Sequence, residues 1–292
     1  HDALPIWTGS ITTKNHVTYD FTNQDIVKGS GYITRQCCCS TEIELGTVYA
    51  SELGITLLSD IDRYTLDDAE VRLYFHLVLL DDSVESIPMG IFEVSEANRH
   101  IKTLELKAYD YMLRFEKALN LTASGGTAYS FLLMASTECN VALAQSKADI
   151  EALPNGKETL GIYSDNDMES YRDLIFYVAQ LLGCVCQINR EGKLELIPYG
   201  NSPVAEVTSR HRFDSSYSDF VTRYTAVSST NLITEEAEYY ALDPDDALTL
   251  NLGVNPLLQF GLKTTRERLI TNILNAISVV DYVPFDSTTI GN

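Results

Sequence analysis

Cysteine, histidine and carboxylate are the side chains that could carry chemistry here, and their spacing decides whether they do. Six cysteines occur: Cys37, Cys38, Cys39, Cys139, Cys184 and Cys186. A structural zinc site needs C-x-x-C pairs or paired histidines. No C-x-x-C is present, and His1, His16, His76, His100 and His211 are scattered through unrelated segments. Three adjacent cysteines cannot bridge one another comfortably, and no signal peptide accompanies the even count, so the disulfide framework of a secreted domain is not expected. The expectation is buried thiols acting as small hydrophobes, with Cys184 and Cys186 on the same face of a strand as Ile188.

The acids give no site either. Asp165, Asp167 and Glu169 alternate as in the opening of a calcium loop, but the glycine at the sixth position and the distal glutamate are missing. Acids gathered at a helix N-terminus explain them more simply. Residues 243–246 (DPDD) read as a turn. Gly125-Gly126 suggests a phosphate loop, yet no Gly-Lys-Ser/Thr follows. There is no G-x-S-x-G elbow, no H-E-x-x-H and no Cys-His signature. No catalytic, cofactor-binding or metal-ligating residue is assigned, and no cofactor is expected.

The elements that would position any site come next. A chain of 292 residues has room for two domains or so. With 45% hydrophobic residues, 10% aromatic and 8 prolines, it has the composition of a folded soluble protein. No apolar run approaches the roughly 20 residues of a membrane span. The balance of 21 Lys and Arg against 41 Asp and Glu leaves a net charge of -20. A protein that binds nucleic acid gains affinity by neutralising phosphates with cations, so this balance argues against DNA or RNA as a bound ligand. The simplest use of the acids is solubility. The first residue is His1 and not Met, which reads as a tag remnant or a trimmed start.

Strand signals dominate the first part. Val17, Tyr19 and Phe21 alternate in an opening strand. A Gly-Ser-Gly break at 29–31 precedes Tyr32 and Ile33, and Val48, Ala50, Leu53, Ile55 and Leu57 form a second run. Residues 60–68 are a charged connector, and residues 70–80 (EVRLYFHLVLL) form the strongest strand. Residues 81–83 turn it, 87–95 run back, 98–100 turn again, and 101–110 alternate Leu104, Leu106 and Ala108 against Lys102, Glu105 and Lys107. Such a meander of half-buried strands is the signature of a barrel or sandwich. Helices follow. Thr127 is an N-cap for Phe131, Leu132, Ala135 and Cys139, with Asn140 as the stop. Ser146 and Asp149 open a short helix ending at residues 154–156. A third helix spans 168–182 and stops at Gly183. A hairpin joins 184–188 to 193–197. Residues 220–228, 238–242 and 248–252 look extended, and 265–280 is an amphipathic helix carrying Leu269, Ile270, Ile273, Leu274 and Ile277.

Several phrases, in order, resemble the tail-tip baseplate hub or tail-associated proteins of long-tailed phages and prophages of Gram-positive bacteria. They begin at Glu42, Glu44, Gly46, Val48, Tyr49, Ala50, Ser51, Glu52 and Leu53. They continue through Asp60, Ile61, Asp62, Arg63 and Tyr64; Ala69, Glu70, Val71, Leu73, Tyr74 and Phe75; Pro88, Met89, Gly90, Ile91, Phe92, Val94, Ser95, Glu96 and Ala97; and Lys107, Ala108, Tyr109, Asp110, Met112, Leu113, Phe115 and Lys117. Tyr171, Arg172, Asp173, Tyr177, Val178, Ala179, Leu182, Gly183 and residues 188–196 match a later phrase, with Ile175 where that phrase has Leu. Near the end, residues 282–285 (YVPF) and 290–292 (IGN) stand where the family runs on into a further strand, so the closing strand of a second barrel is expected to be missing.

The resemblance implies an α+β chain with two small β-barrel, tail-tube-like domains and a helical segment between them. The expected division is 1–117 for the first barrel, 118–204 for the helices and hairpin, and 205–292 for the second barrel with its amphipathic helix. It implies a structural virion protein at the tail tip, made in the host cytoplasm and not an enzyme, that closes or extends the tail tube and anchors distal lysin or receptor-binding parts. The implied partners are two further copies in a homotrimer, tail tube and distal tail proteins, and the tape-measure protein. DNA passes without being bound, along a bore that some of the excess carboxylates line. Two similar barrels per subunit would let a trimer match a six-fold tube. The alternative is a tail module that binds cell-wall glycan or degrades glycan or peptide.

Overall fold

The structure, a computed structural model, describes residues 6–38, 43–120, 124–163, 166–199, 224–241, 245, 247–259 and 261–278. Its first part is one antiparallel sheet. The strands are β1 (Ile6–Thr12), β2 (Thr18–Thr22), β3 (Tyr32–Thr34), β4 (Glu52–Leu58), β5 (Glu70–Val78), β6 (Val84–His100) and β7 (Thr103–Tyr109), in the order β2-β1-β5-β6-β7-β4-β3. Period-two patterning builds it: in β7, Leu104, Leu106 and Ala108 are buried while Glu105 faces water. With Leu53, Ile55, Leu57, Val71, Leu73 and Phe92 they form a core on one face.

The sheet curls on that core. The chain leaving β2 crosses to the far side, where Leu58 N–H donates to Asp25 O at 2.7 Å and Val27 N–H donates to Thr56 O at 2.9 Å. Phe21 of β2 and Leu57 of β4 thereby share one core. The two are joined by this crossing segment and not by a ladder, so among the described residues no closed barrel forms.

Three strand limits differ from the sequence expectation. The opening strand is β1, before residue 17; its pattern is broken at Gly9, where a Cβ would lie 2.2 Å from the Phe21 ring. β4 begins only at Glu52, and Val48 and Ala50 pack instead against the helical core. Residues 98–100 lie within the 17-residue β6, and the turn comes at 101–102. Irregularities opposite Leu73/Tyr74 and between Val94 and Glu96 shift the side-chain phase along β6. Its polar end is held by pairing with β7 and by Arg99, which donates to the carbonyls of Ser59 and Ile61.

The helical part begins with β8 (Ser124–Gly126), which pairs with β9 (Leu160–Ile162). Gly125 and Gly126 are thus in a strand. Helix α1 (Ala128–Cys139) starts at Thr127, whose side chain accepts from Ser130 N–H, and stops at Asn140 in the left-handed region with φ 53°. Helix α2 (Lys147–Glu151) and helix α3 (Tyr171–Leu181) both open on capping boxes, Ser146 with Asp149 and Ser170 with Asp173. The second box sets the start of α3 at Tyr171 rather than at 168. Gly183, at φ 66°, ends the helical turn and leads into the hairpin of β10 (Cys184–Ile188) and β11 (Leu194–Pro198).

The last described part has β12 (Ala226–Thr230), flanked by antiparallel β13 (Ala237–Ala241) and parallel β14 (Thr249–Asn251), and α4 (Lys263–Ser278). Leu269, Ile270, Ile273, Leu274 and Ile277 of α4 are buried, in one apolar core with α1, α3 and the β10–β11 hairpin. The chain is α+β, as expected. Much of the expected second barrel, at 205–223 and 279–292, lies outside the described residues. So do Cys39, Glu42, Asp165, Asp243, Pro244 and Asp246 and the 282–285 and 290–292 phrases.

Candidate assembly surface

β5 and β6 extend as a two-stranded arm. Among the described residues, β1 accompanies β5 as far as His76, opposite Ile6, and β7 accompanies β6 between Glu93 and His100. At the tip, Leu79 N–H donates to Ser83 O at 2.8 Å and Asp82 takes φ 61°. Asp81 Oδ1 accepts from Ser83 Oγ at 2.6 Å and Ser83 N–H at 3.1 Å, bonds that hold its carboxyl below the ordinary range. Leu77, Leu79, Leu80 and Val84 are exposed around this turn. Leu77 and Leu79 lie on one face of the hairpin and Val84, opposite Val78, on the other, so both faces of the arm present apolar side chains to solvent. Where the arm leaves the sheet, His76 is held between Thr8 Oγ1 at 2.7 Å and Ser86 Oγ at 2.8 Å, and the Trp7 and Phe75 rings meet at 5.0 Å.

The sheet that carries the arm is tied to the helical part. Tyr111 donates its hydroxyl to the Glu70 carboxylate, and burial together with this bond raises its pKa. Arg114 binds Glu93 Oε1 through Nε at 3.1 Å and Nη2 at 2.6 Å, stacks 3.8 Å from the Tyr111 ring centre, and donates Nη1 to Asn140 O at 2.9 Å. Gly192 of the β10–β11 turn packs on the same ring, where a Cβ would come within 2.9 Å. These contacts hold the β5–β6 pair against the helical part.

A second stretch carries no acid of its own in an acidic chain. Residues 26–38 contain Lys28 and Arg35 and no acid, and they carry β3, whose outer side pairs with no described strand. Tyr32 donates its hydroxyl to Glu52 at 2.7 Å, and Arg35 Nη2 donates to Met89 O at 2.9 Å. Burial, then the nearby Arg190, lowers the Arg35 pKa. A polar groove of about 640 Å³ runs from Arg35 and Pro88 to Gln187, Arg190 and Glu195. A smaller one of about 360 Å³ lies between Leu45 and Val48, α3 at Phe176, and Leu252.

Among the described residues, the chemistry-bearing side chains form no cluster that could hold a metal ion. Burial pushes the Cys139 thiol up to about 11 and that of Cys184 to about 12, and raises Cys186 further. Such thiols form no thiolate near neutrality. Cys37 departs from the expectation of burial: it is exposed, with Cys38 half-buried and their sulfurs 3.8 Å apart. No helix among the described residues is long and apolar enough to cross a membrane. The arm was not singled out from sequence, although Leu77, Val78, Leu79 and Leu80 run without alternation into a turn, a pattern that buries neither face cleanly.

Among solved structures, the chain is similar to prophage tail protein gp18 from Listeria monocytogenes EGD-e, with a TM-score of 0.51 at 12% identity over 91% of this chain and 76% of that one. The fold is that of a prophage tail protein. The tail-protein fold agrees with the resemblance read from the ordered phrases. Two further likenesses are fainter. The 43 kDa tail protein of prophage MuSo2 from Shewanella oneidensis gives a TM-score of 0.46 at 7% identity over 93% and 78% of the two chains. A chain of the Francisella PdpA-VgrG complex gives 0.48 at 10% identity over 86% and 44%. No protein-family model matches the chain, and no curated protein matches its sequence.

Proposed function

We propose that this chain is a structural protein of a phage tail and acts as a hub at the tail tip, closing or extending the tube and anchoring distal lysin or receptor-binding parts. The observation that carries the reading is the fold shared with a prophage tail protein over 91% of the chain. The exposed Leu77, Leu79, Leu80 and Val84 of the arm support it, because an assembly protein needs apolar side chains to bury against its neighbours. In this reading residues 1–117 are a tube-like unit, 118–204 the helical and hairpin unit, and 205–292 a second tube-like unit. The chain works as a homotrimer, meets the tail tube, distal tail and tape-measure proteins, and catalyses nothing. Part of its net charge of -20 lines a bore through which DNA passes unbound.

Immunogold labelling of intact tail particles tests this. Label confined to one tip, at the end away from the head, is the expected result. Label spread along the tube, or absent from particles, overturns the hub role. Binding to or cleavage of purified cell-wall fragments by the isolated chain would replace the structural reading with a glycan- or peptide-directed one.

A further inference from the structure

We infer that the tip of the β5–β6 arm of one copy seats against the outer edge of β3 of a second copy and pairs with it through the main chain. The inference rests on the reading of the chain as an assembling tail protein and names the partner of its exposed surface.

Both partners are open edges among the described residues. Among the described residues nothing pairs with β6 between Val84 and Phe92 on the side away from β5, and β3 ends its sheet. An exposed edge presents unpaired N–H and C=O groups and is a template for another strand unless it is blunted. The inner half of the arm is blunted: Pro88 has no N–H to donate, and the irregularity opposite Leu73/Tyr74 interrupts the ladder. The outer half, from Val84 to Ile87, has neither proline nor lysine.

Charge and side chains fit the two together. Residues 77–87 carry Asp81, Asp82 and Glu85 and no Lys or Arg, whereas residues 26–38 carry Lys28 and Arg35 and no acid. In a chain of net charge -20 an acid-free stretch is the natural seat for an acidic arm. Leu80 and Val84 on one side and Tyr32 on the other are exposed large hydrophobics that such pairing would cover.

The arm cannot satisfy its own β3. Arg35 reaches the carbonyl of Met89, at the base of the arm, and at ~3.3 Å per residue the tip lies well over 10 Å further out. The two surfaces are different patches of the molecule, so the contact is head-to-tail, the kind that closes into a ring when its rotation permits.

Charge reversal tests the contact. Sedimentation velocity over a concentration series should show self-association of the wild-type chain. Asp81→Lys with Asp82→Lys and Glu85→Lys, or Lys28→Glu with Gln36→Glu, should each weaken it at least ~10-fold, and a chain carrying both sets should regain it. Leu80→Ser, which leaves every charge in place, should also weaken it. A wild-type chain monomeric at all concentrations, an oligomer indifferent to both reversals, or a doubly reversed chain that folds without regaining association overturns the contact. A monomeric chain that still enters tail particles overturns this contact alone. A ring formed through the arm but absent from tail particles overturns the tail reading instead.

Discussion

Arg172 of α3 clasps the carbonyl oxygen of Val48, with Nε at 3.1 Å and Nη2 at 2.7 Å, and its Nη1 also donates to Glu116. The contact spans 124 residues of sequence. It secures the irregular segment before β4 to the helical core, close to Gly46, where a Cβ would lie 2.5 Å from the Phe176 carbonyl. A planar fork can hold one oxygen from two nitrogens, and an ammonium cannot reproduce that geometry. Arg172→Ala is expected to lower stability by about 1.5–3 kcal/mol, and Arg172→Lys to recover less than half of the loss. Urea denaturation midpoints of the three proteins measure this.

Asn155 is a second tie, and its backbone matters as much as its amide. At φ 58° it occupies the left-handed region, and Nδ2 donates to Leu181 O and Leu269 O, both at 2.9 Å, joining the end of α3 to α4. Asn155→Ala loses the amide and is strained, whereas Asn155→Gly loses only the amide. The alanine variant is expected to be less stable than the glycine variant by about 1 kcal/mol, with both below wild type. Equal melting temperatures for the two variants would show that the backbone conformation carries no cost.

Asp110 gives a dependence on pH. Its carboxylate accepts from Ser51 N–H at 2.9 Å and Met112 N–H at 3.0 Å, but burial dominates and lifts its pKa above the ordinary 3.8. With the folded-state pKa above the unfolded one, the contribution of this group is fully present below pH 3.8 and is lost as pH rises through the folded value. Relative to Asp110→Asn, the wild-type protein is therefore expected to lose stability on going from pH 3.8 upward. Chemical denaturation of both proteins across that range reads the difference, and parallel curves would contradict it.

The cysteines should divide by burial. Brief alkylation of the native protein near neutral pH is expected to modify Cys37 and to spare Cys139, Cys184 and Cys186, since the last three are buried with raised thiol pKa values. All four should react in denaturant. Peptide mass spectrometry reports each site separately.

What the sequence determined by itself is local. Thr127, Ser146, Asn140 and Gly183 mark helix limits through caps and left-handed stops that involve only their neighbours, and the alternation of β7 and the apolar stripe of α4 show which side is buried. The ordered phrases also point to the fold without any packing calculation. Tertiary structure decided whatever depends on a distant partner. β4 begins at Glu52 because Val48 is held by Arg172 and not by a strand. β6 runs on through Asn98–His100 because β7 pairs with it there. Cys37 is exposed while Cys184 and Cys186 are buried, although the sequence reading expects all of them to be buried thiols. The arm follows the same rule: residues 77–87 read as an ordinary hairpin, and among the described residues β1 stops opposite His76 and β7 opposite Glu93, so no further described strand lies beside it. A strand's own residues state that it is extended, but the main-chain groups on its edges are satisfied by residues far away in sequence, so which edges stay open is a property of the folded sheet.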